Sequence, residues 1–231
     1  MSAMAQIMEE VSSAGERFWR PADFASLPSD AVAQALSRLC RRGELLRLRK
    51  GLYYRARTTV LGPSCPSQMA VARVAFRSIL HPTGATAANL LGLSTQSPAK
   101  AHFATTTRHT PTDLPGLKLV GGRPASRETL TELEGAVLET LRSRASNSEL
   151  DPDATRRRIL DVIMHYGMFP RLSVAGIDEP PRVRAMLGAI GQELEVEPRE
   201  LSPLRASLNR FSRFDYGNLR TLRWAEEWQA R

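Results

Sequence analysis

Between Arg38 and Arg57 the chain carries eight basic residues and a single acid, Glu44, in a stretch that reads as a helix end followed by a hairpin. Leu46 and Leu48 alternate with Arg47 and Arg49 in the pattern of a half-buried strand. Lys50-Gly51 is a turn, and Leu52-Tyr53-Tyr54 is the returning strand. Upstream, Met4, Ile7, Met8 and Val11 recur at helical spacing until Gly15 stops the helix. Phe18-Trp19 is a short apolar link that reads as a brief strand. Pro21 suits the first position of a short second helix, PADFASL, with Phe24 and Leu27 facing inward. Pro28-Ser29 makes a tight turn in which Ser29 is expected to cap a third helix from Asp30 to Arg42, ended by Gly43. Three helices followed by a basic hairpin is the element order of a winged helix-turn-helix.

Projected at helical spacing, the third helix sets Val32, Ala35, Leu36, Leu39 and Cys40 on one arc. Asp30, Gln34, Ser37, Arg38 and Arg41 fall on the opposite arc, next to Ser29 and Arg42 at the two helix ends. These polar side chains are of the types that read base edges: Gln for adenine, Arg for guanine, Ser for either. A helix fits the major groove, and the adjoining ribbon carries Arg47, Arg49 and Lys50 toward the flanking backbone or minor groove. The plainer alternative is a solvated basic face on a small domain. Agreement between element order, turn chemistry and charge concentration favours double-stranded DNA as the partner.

The whole chain of 231 residues has a formal charge of +8, from 32 Lys and Arg against 24 Asp and Glu, so the basic stretch accounts for most of the excess. Such an excess suits a polyanionic partner, because neutralising phosphates releases counterions. The cysteines, Cys40 and Cys65, belong to no ligand-spaced cluster, which fits a reducing cytoplasm. No apolar run approaches the roughly 18 residues that span a bilayer, and the N-terminus lacks the basic start of a signal peptide. A cytoplasmic protein that does not enter the membrane is the expectation.

The Pro/Ser-rich LGPSCPSQ reads as a linker between a winged-helix domain at residues 1–60 and a second domain at 67–231. In the latter, Met69, Ala72, Val74 and Ile79 suggest a helix, TGATAANLLG a closely packed small-residue helix, and AHFATTT and LKLVGG strands. Leu130 to Leu141 and Ile159 to Met164 read as helices, separated by the exposed loop RSRASNSELDPDA. Pro180-Pro181 opens VRAMLGAIGQEL, and Trp224 and Trp228, four apart, suggest a C-terminal helix docked on the core. The expected class is α+β, a winged helix-turn-helix followed by a mainly helical domain with a small sheet.

Catalytic chemistry finds little footing. His81, His102, His109 and His165 are scattered without metal-ligand spacing. Gly84, Gly92, Gly121 and Gly122 match neither a P-loop nor a dinucleotide fingerprint. The Arg156–Arg158 run opens a helix, where a solvated face competes with a second phosphate-binding surface. No nucleophile–base pair or paired carboxylates stand out, so no enzyme, cofactor or metal is expected.

The run DFASLPSDAVAQALSRLCRRGELLRLRKGLYY resembles the winged helix of AbiEi-type antitoxins of type IV toxin–antitoxin systems. HPTGATAANLLGLSTQSPAKAHFATT is similar to the core of that family's second domain, and PPRVRAMLGAIG looks like a segment from its smaller relatives. The resemblance implies an autorepressor that binds inverted repeats in its own promoter, as a monomer on each half-site or as a cooperative dimer. It further implies an antitoxin that opposes a nucleotidyltransferase-like toxin without a stable complex. The family's reading helix maps onto Asp30 to Arg42 and its wing onto Arg47 to Gly51. The alternative left open is a winged-helix module that binds protein or RNA and has no antitoxin activity.

Overall fold

The helical spacing that starts at Met4 forms α1 (Ala3–Ser13), which turns Ile7 and Val11 inward. The helix stops before Gly15, whose φ of +71° is left-handed and costs glycine no Cβ clash. A computed structural model describes residues 3–76, 79–96, 98–108 and 116–231. Phe18-Trp19 belongs to a true strand, β1 (Arg17–Trp19). The PADFASL segment forms only a short 3-10 turn, Pro21–Phe24, with Phe24 buried and Leu27 partly so.

Helix α2 (Ser29–Arg41) buries Val32, Ala35, Leu36 and Leu39. Ser29 is not its cap: Pro28 occupies that position, its carbonyl accepting from Val32 N at 3.0 Å, and no side chain caps the helix. Proline fixes φ and leaves the carbonyl free to start the ladder one residue earlier than the serine signal suggests. Gly43, at φ +76°, ends the helix as expected.

Strands β2 (Leu46–Arg49) and β3 (Leu52–Arg55) form the wing, and the sheet order is β1-β3-β2 with both pairings antiparallel. The expected alternation in β2 fails. Leu45, just ahead of the strand, is buried, whereas Leu46 is 51% exposed. The register also breaks: Arg47 faces Tyr53 and Arg49 faces Leu52, so Leu48 is an extra residue. A bulge of this kind breaks the period of two and re-aims the following side chain. A second hairpin follows, β4 (Thr58–Thr59) and β5 (Gly62–Pro63), within the stretch read as linker. Next comes α3 (Gln68–Ala75), capped by the Ser67 side chain, which accepts from Ala70 N at 3.1 Å. Ile79 lies beyond it.

Two compact units result: Met1–Arg77 with Thr112–Gly116, and Ser78–Pro111 with Leu117–Arg231. Helix α3 therefore goes with the winged helix, not with a domain starting at 67; Arg20 donates to the Val74 carbonyl. The first core gathers Ile7, Val11, Trp19, Phe24, Leu36, Leu39, Leu45 and Tyr53.

The second unit holds β6 (His81–Pro82), α4 (Gly84–Leu90), β7 (Ala101–Ala104) and β8 (Leu117–Val120). Strand β7 lies between antiparallel β6 and parallel β8. Helices α5 (Glu132–Arg142), α6 (Pro152–His165), α7 (Phe169–Gly176), α8 (Pro181–Glu193) and α9 (Pro198–Ala206) build the larger core. Helix α6 starts seven residues before Ile159, capped by Asp151, and Ala145 in the preceding loop is buried, not exposed. Helix α9, with Pro203 inside it, had no clear signal. The C-terminal tryptophans sit in successive turns and not in a regular helix. Trp228 nonetheless docks as expected: it is 1% exposed, its ring lies against Gly188 of α8, and its Nε1 donates to Gln192 Oε1 at 2.7 Å.

The same unit encloses a buried ionic network. Arg127, fully buried, donates from Nε to Glu179 Oε1 at 2.6 Å and from Nη1 to Glu139 Oε1 at 2.5 Å. Arg123 adds Nε to Glu139 Oε1 at 2.6 Å and Nη2 to Oε2 at 3.0 Å, and Arg142 Nε reaches Glu179 Oε2 at 2.6 Å. Thr83 Oγ1 donates to Glu139 Oε2 at 2.7 Å. Burial acts to raise the Glu139 pKa, but its guanidinium and hydroxyl partners outweigh that and hold it at about 2. His81, fully buried, meets the Arg127 carbonyl at 3.1 Å through Nε2, and burial together with the Arg127 charge pushes its pKa down. The architecture is thus α+β, a winged helix-turn-helix followed by a mainly helical unit with a small sheet.

Candidate nucleic-acid interface

Helix α2 divides cleanly between its two arcs. Val32, Ala35, Leu36 and Leu39 are each at most 2% exposed, while Ser29, Asp30, Gln34, Ser37, Arg38, Arg41 and Arg42 are all exposed. The polar arc has no packing duty toward the core. Asp30 in the first turn and Arg38 and Arg41 in the last also suit the helix dipole. Cys40, expected on the apolar arc, is only half-buried; burial raises its thiol pKa and the nearby Arg47 charge opposes the rise.

The eight cations of the basic stretch separate into two groups. Arg55 turns inward, its Nη1 donating to the Val11 and Ser12 carbonyls at the end of α1. Arg57 pairs with Glu16 at 3.8 Å and Arg42 with Glu44 at 3.9 Å. Arg42 is thus the one proposed contact residue already engaged by an acid. Arg38, Arg41, Arg47, Arg49 and Lys50 pair with no acid among the described residues. Arg47 and Lys50 are exposed. Arg49 is half-buried, its guanidinium 6.0 Å from the Phe76 ring. Gly51, at φ +75°, supplies the left-handed residue that the wing turn needs.

The base of the wing is tied down. Tyr54 Oη donates to Glu16 Oε1 and lies 3.0 Å from Ser64 Oγ. Ser64 Oγ also donates to Glu16 Oε1 at 3.1 Å, and the hydrogen bonds that Glu16 accepts from Tyr54 and Ser64 lower its pKa. The anchor ties β3 to the β4–β5 hairpin, whose tip residues Val60 and Leu61 are fully exposed at 105% and 99%. The strands of this hairpin are two residues each, too short for a period of two to register in the sequence.

Arg156 pairs with Glu193 and Asp153, and Arg158 donates to the Leu91 carbonyl at 2.7 Å, so two members of the arginine run hold the fold together. Among the described residues no His, Cys, Asp and Glu cluster has metal-holding geometry, and no helix is long and apolar enough to cross a membrane. His109 lies outside the described residues.

These features define a winged-helix protein with a helical second unit. A family model described as a family of unknown function (DUF6088) matches residues 7–110, from α1 past the end of β7. The fold is similar to that in the crystal structure of the RV2827C protein from Mycobacterium tuberculosis. That likeness has a TM-score of 0.59 at 16% sequence identity and covers 100% of this chain and 91% of the other. No curated protein matches the chain.

Proposed function

We propose that this chain is a cytoplasmic DNA-binding transcriptional autorepressor that acts on inverted repeats in its own promoter. The observation that carries the reading is the exposed arc of α2 beside a wing whose cations are unpaired among the described residues. On this reading α2 enters the major groove. Gln34 addresses adenine, Arg38 and Arg41 address guanine, and Ser29, Asp30, Ser37 and Arg42 contribute to base or phosphate contacts. Arg47, Arg49 and Lys50 neutralise phosphates along the flanking backbone, giving affinity that falls steeply with salt. An inverted repeat takes two copies, one per half-site, as separate monomers or as a cooperative dimer.

The finer reading is an antitoxin of a type IV toxin–antitoxin system, supported by the resemblance of Pro82 to Thr106 and Pro180 to Gly191 to AbiEi-type proteins. In it the chain opposes a nucleotidyltransferase-like toxin without a stable complex, and needs no cofactor or catalysis. A second reading, a module that binds protein or RNA, is favoured by one feature, the two adjacent and fully exposed apolar residues Val60 and Leu61 at the β4–β5 tip.

Mobility-shift titration of the gene's upstream region tests the main reading. Arg38→Ala with Arg41→Ala is expected to weaken specific binding by about 2 to 6 kcal/mol, from roughly 1 to 3 per good base contact. Absence of a specific shift, or an affinity unmoved by the pair, refutes it. Co-expression with a neighbouring nucleotidyltransferase tests the antitoxin reading: growth must recover.

A further inference from the structure

The buried network of the second unit forms the floor of an open cleft of about 660 Å³, lined by Arg108, Arg123, Arg142, Glu128, Asp178 and Glu179 with backbone and prolines between them. That volume falls in the range of small-molecule sites. The charged lining is balanced, Arg108, Arg123 and Arg142 against Glu128, Asp178 and Glu179, and beneath it Arg127 and Glu139 complete the ionic network. Both oxygens of Glu139 and of Glu179 already accept hydrogen bonds. The guanidinium groups keep donors in reserve. Arg123 Nη1 and both Nη atoms of Arg142 have no acceptor among the described residues, and buried Arg127 Nη2 has none either.

The free Nη groups of Arg123 and Arg142, oriented by carboxylates that already accept hydrogen bonds, offer donors to an oxyanion. Arg123 and Arg142 are 14% and 23% exposed on their side chains, so they are desolvated yet reachable, and their acid partners fix their orientation. Arg108, exposed on the rim, adds a third cation, whereas Glu128 and Asp178, also exposed, oppose anion entry. Pro124, Ala125 and Pro180 supply apolar wall beside the charged floor.

We propose that this cleft binds a small organic phosphate of mononucleotide size, its phosphoryl oxygens on Arg123 and Arg142 and its organic part against Pro124 and Pro180. The site is separate from the winged helix and stands whether or not that unit binds DNA. Calorimetric titration of the full chain with inorganic phosphate, pyrophosphate and adenosine monophosphate tests it. Saturable binding is expected, tighter for the monophosphate ester than for inorganic phosphate. Arg108→Glu should weaken it about tenfold or more and Asp178→Asn should tighten it several-fold. Both residues are exposed and outside the floor network, so circular dichroism should report unchanged folding. Arg47→Ala with Arg49→Ala serves as the control for phosphate held on the wing, and should leave binding intact. No saturable binding of any of the three probes up to about 10 mM, indifference to both rim variants, or loss of binding in the wing variant overturns the proposal.

Discussion

Glu139→Gln is the perturbation whose size follows most directly from the structure. The substitution keeps the shape of the side chain but removes the charge that Arg123 and Arg127 share at 2.6 and 2.5 Å. In the folded protein Glu139 titrates at about 2 against an ordinary value of 4.5. At roughly 1.36 kcal/mol per pH unit, that gap corresponds to about 3 kcal/mol of stability, the same order as the loss on breaking a buried ion pair. The folded pKa is the lower one, so the contribution is full above 4.5 and disappears as the pH falls through about 2. Glu139→Gln should therefore cost about 3 kcal/mol at pH 7, and the difference from the parent should shrink steadily in acid. Burial pushes the His81 pKa down, so His81 weakens both proteins as the pH falls below the ordinary imidazole range, and more so in the variant, where the opposing Glu139 charge is gone. The part of the difference that disappears below pH 4.5 is the part that reports Glu139. Hydrogen exchange of the α5 and α8 amides measures the second unit without interference from the first. A difference that stays constant from neutral to strongly acidic pH, or one below about 1 kcal/mol at pH 7, would refute the reasoning.

The other expectations are simpler to read. Arg47→Ala with Arg49→Ala should weaken binding to every DNA sequence and flatten the log K against log salt slope by nearly 2, about 0.9 for each lost phosphate contact; an unchanged slope takes the wing off the phosphates. Gly188→Ala should lower the thermal midpoint by several degrees although alanine favours helices by about 1 kcal/mol, because overpacking costs about 1 to 3 kcal/mol or more. The added Cβ would stand 2.1 Å from the buried Trp228 ring, and a midpoint that rises instead contradicts the packing seen here. Ser29→Ala should leave stability within about 0.5 kcal/mol while weakening DNA binding, whereas Thr131→Ala should cost about 1 kcal/mol in urea unfolding. Ser29 caps nothing, while Thr131 Oγ1 accepts from Glu134 N at 3.2 Å and Glu134 answers at Thr131 N.

The elements that the sequence made legible are those whose forces are local. Amphipathic spacing located α1 and α2, glycines with positive φ ended them, and the Lys50-Gly51 turn located the wing. The candidate interface was legible for the same reason, since residues opposite a buried arc of one helix must face solvent. The misreadings arose where a neighbour intervened. A bulge at Leu48 broke the period of two in β2, Pro28 displaced Ser29 from the cap, and two-residue strands left no period to detect. Trp224 and Trp228 have helical spacing in the sequence, but successive turns satisfy the same inward orientation.

By itself the sequence determined the order of helices, turns and wing and the concentration of charge on one stretch, because these follow from periods of two and 3.6 and from single-residue conformational limits. The tertiary structure alone decided which cations are available. It turned Arg55 onto helix carbonyls and bound Arg42 and Arg57 to acids, and it left Arg38, Arg41, Arg47 and Lys50 exposed. It also gathered Arg123, Arg127, Arg142, Glu139 and Glu179 around one buried network, in which the bonded pair Arg127 and Glu179 is 52 residues apart in the chain. Charges so distant in the chain interact only once folding has removed the water between them, and no local pattern records that meeting.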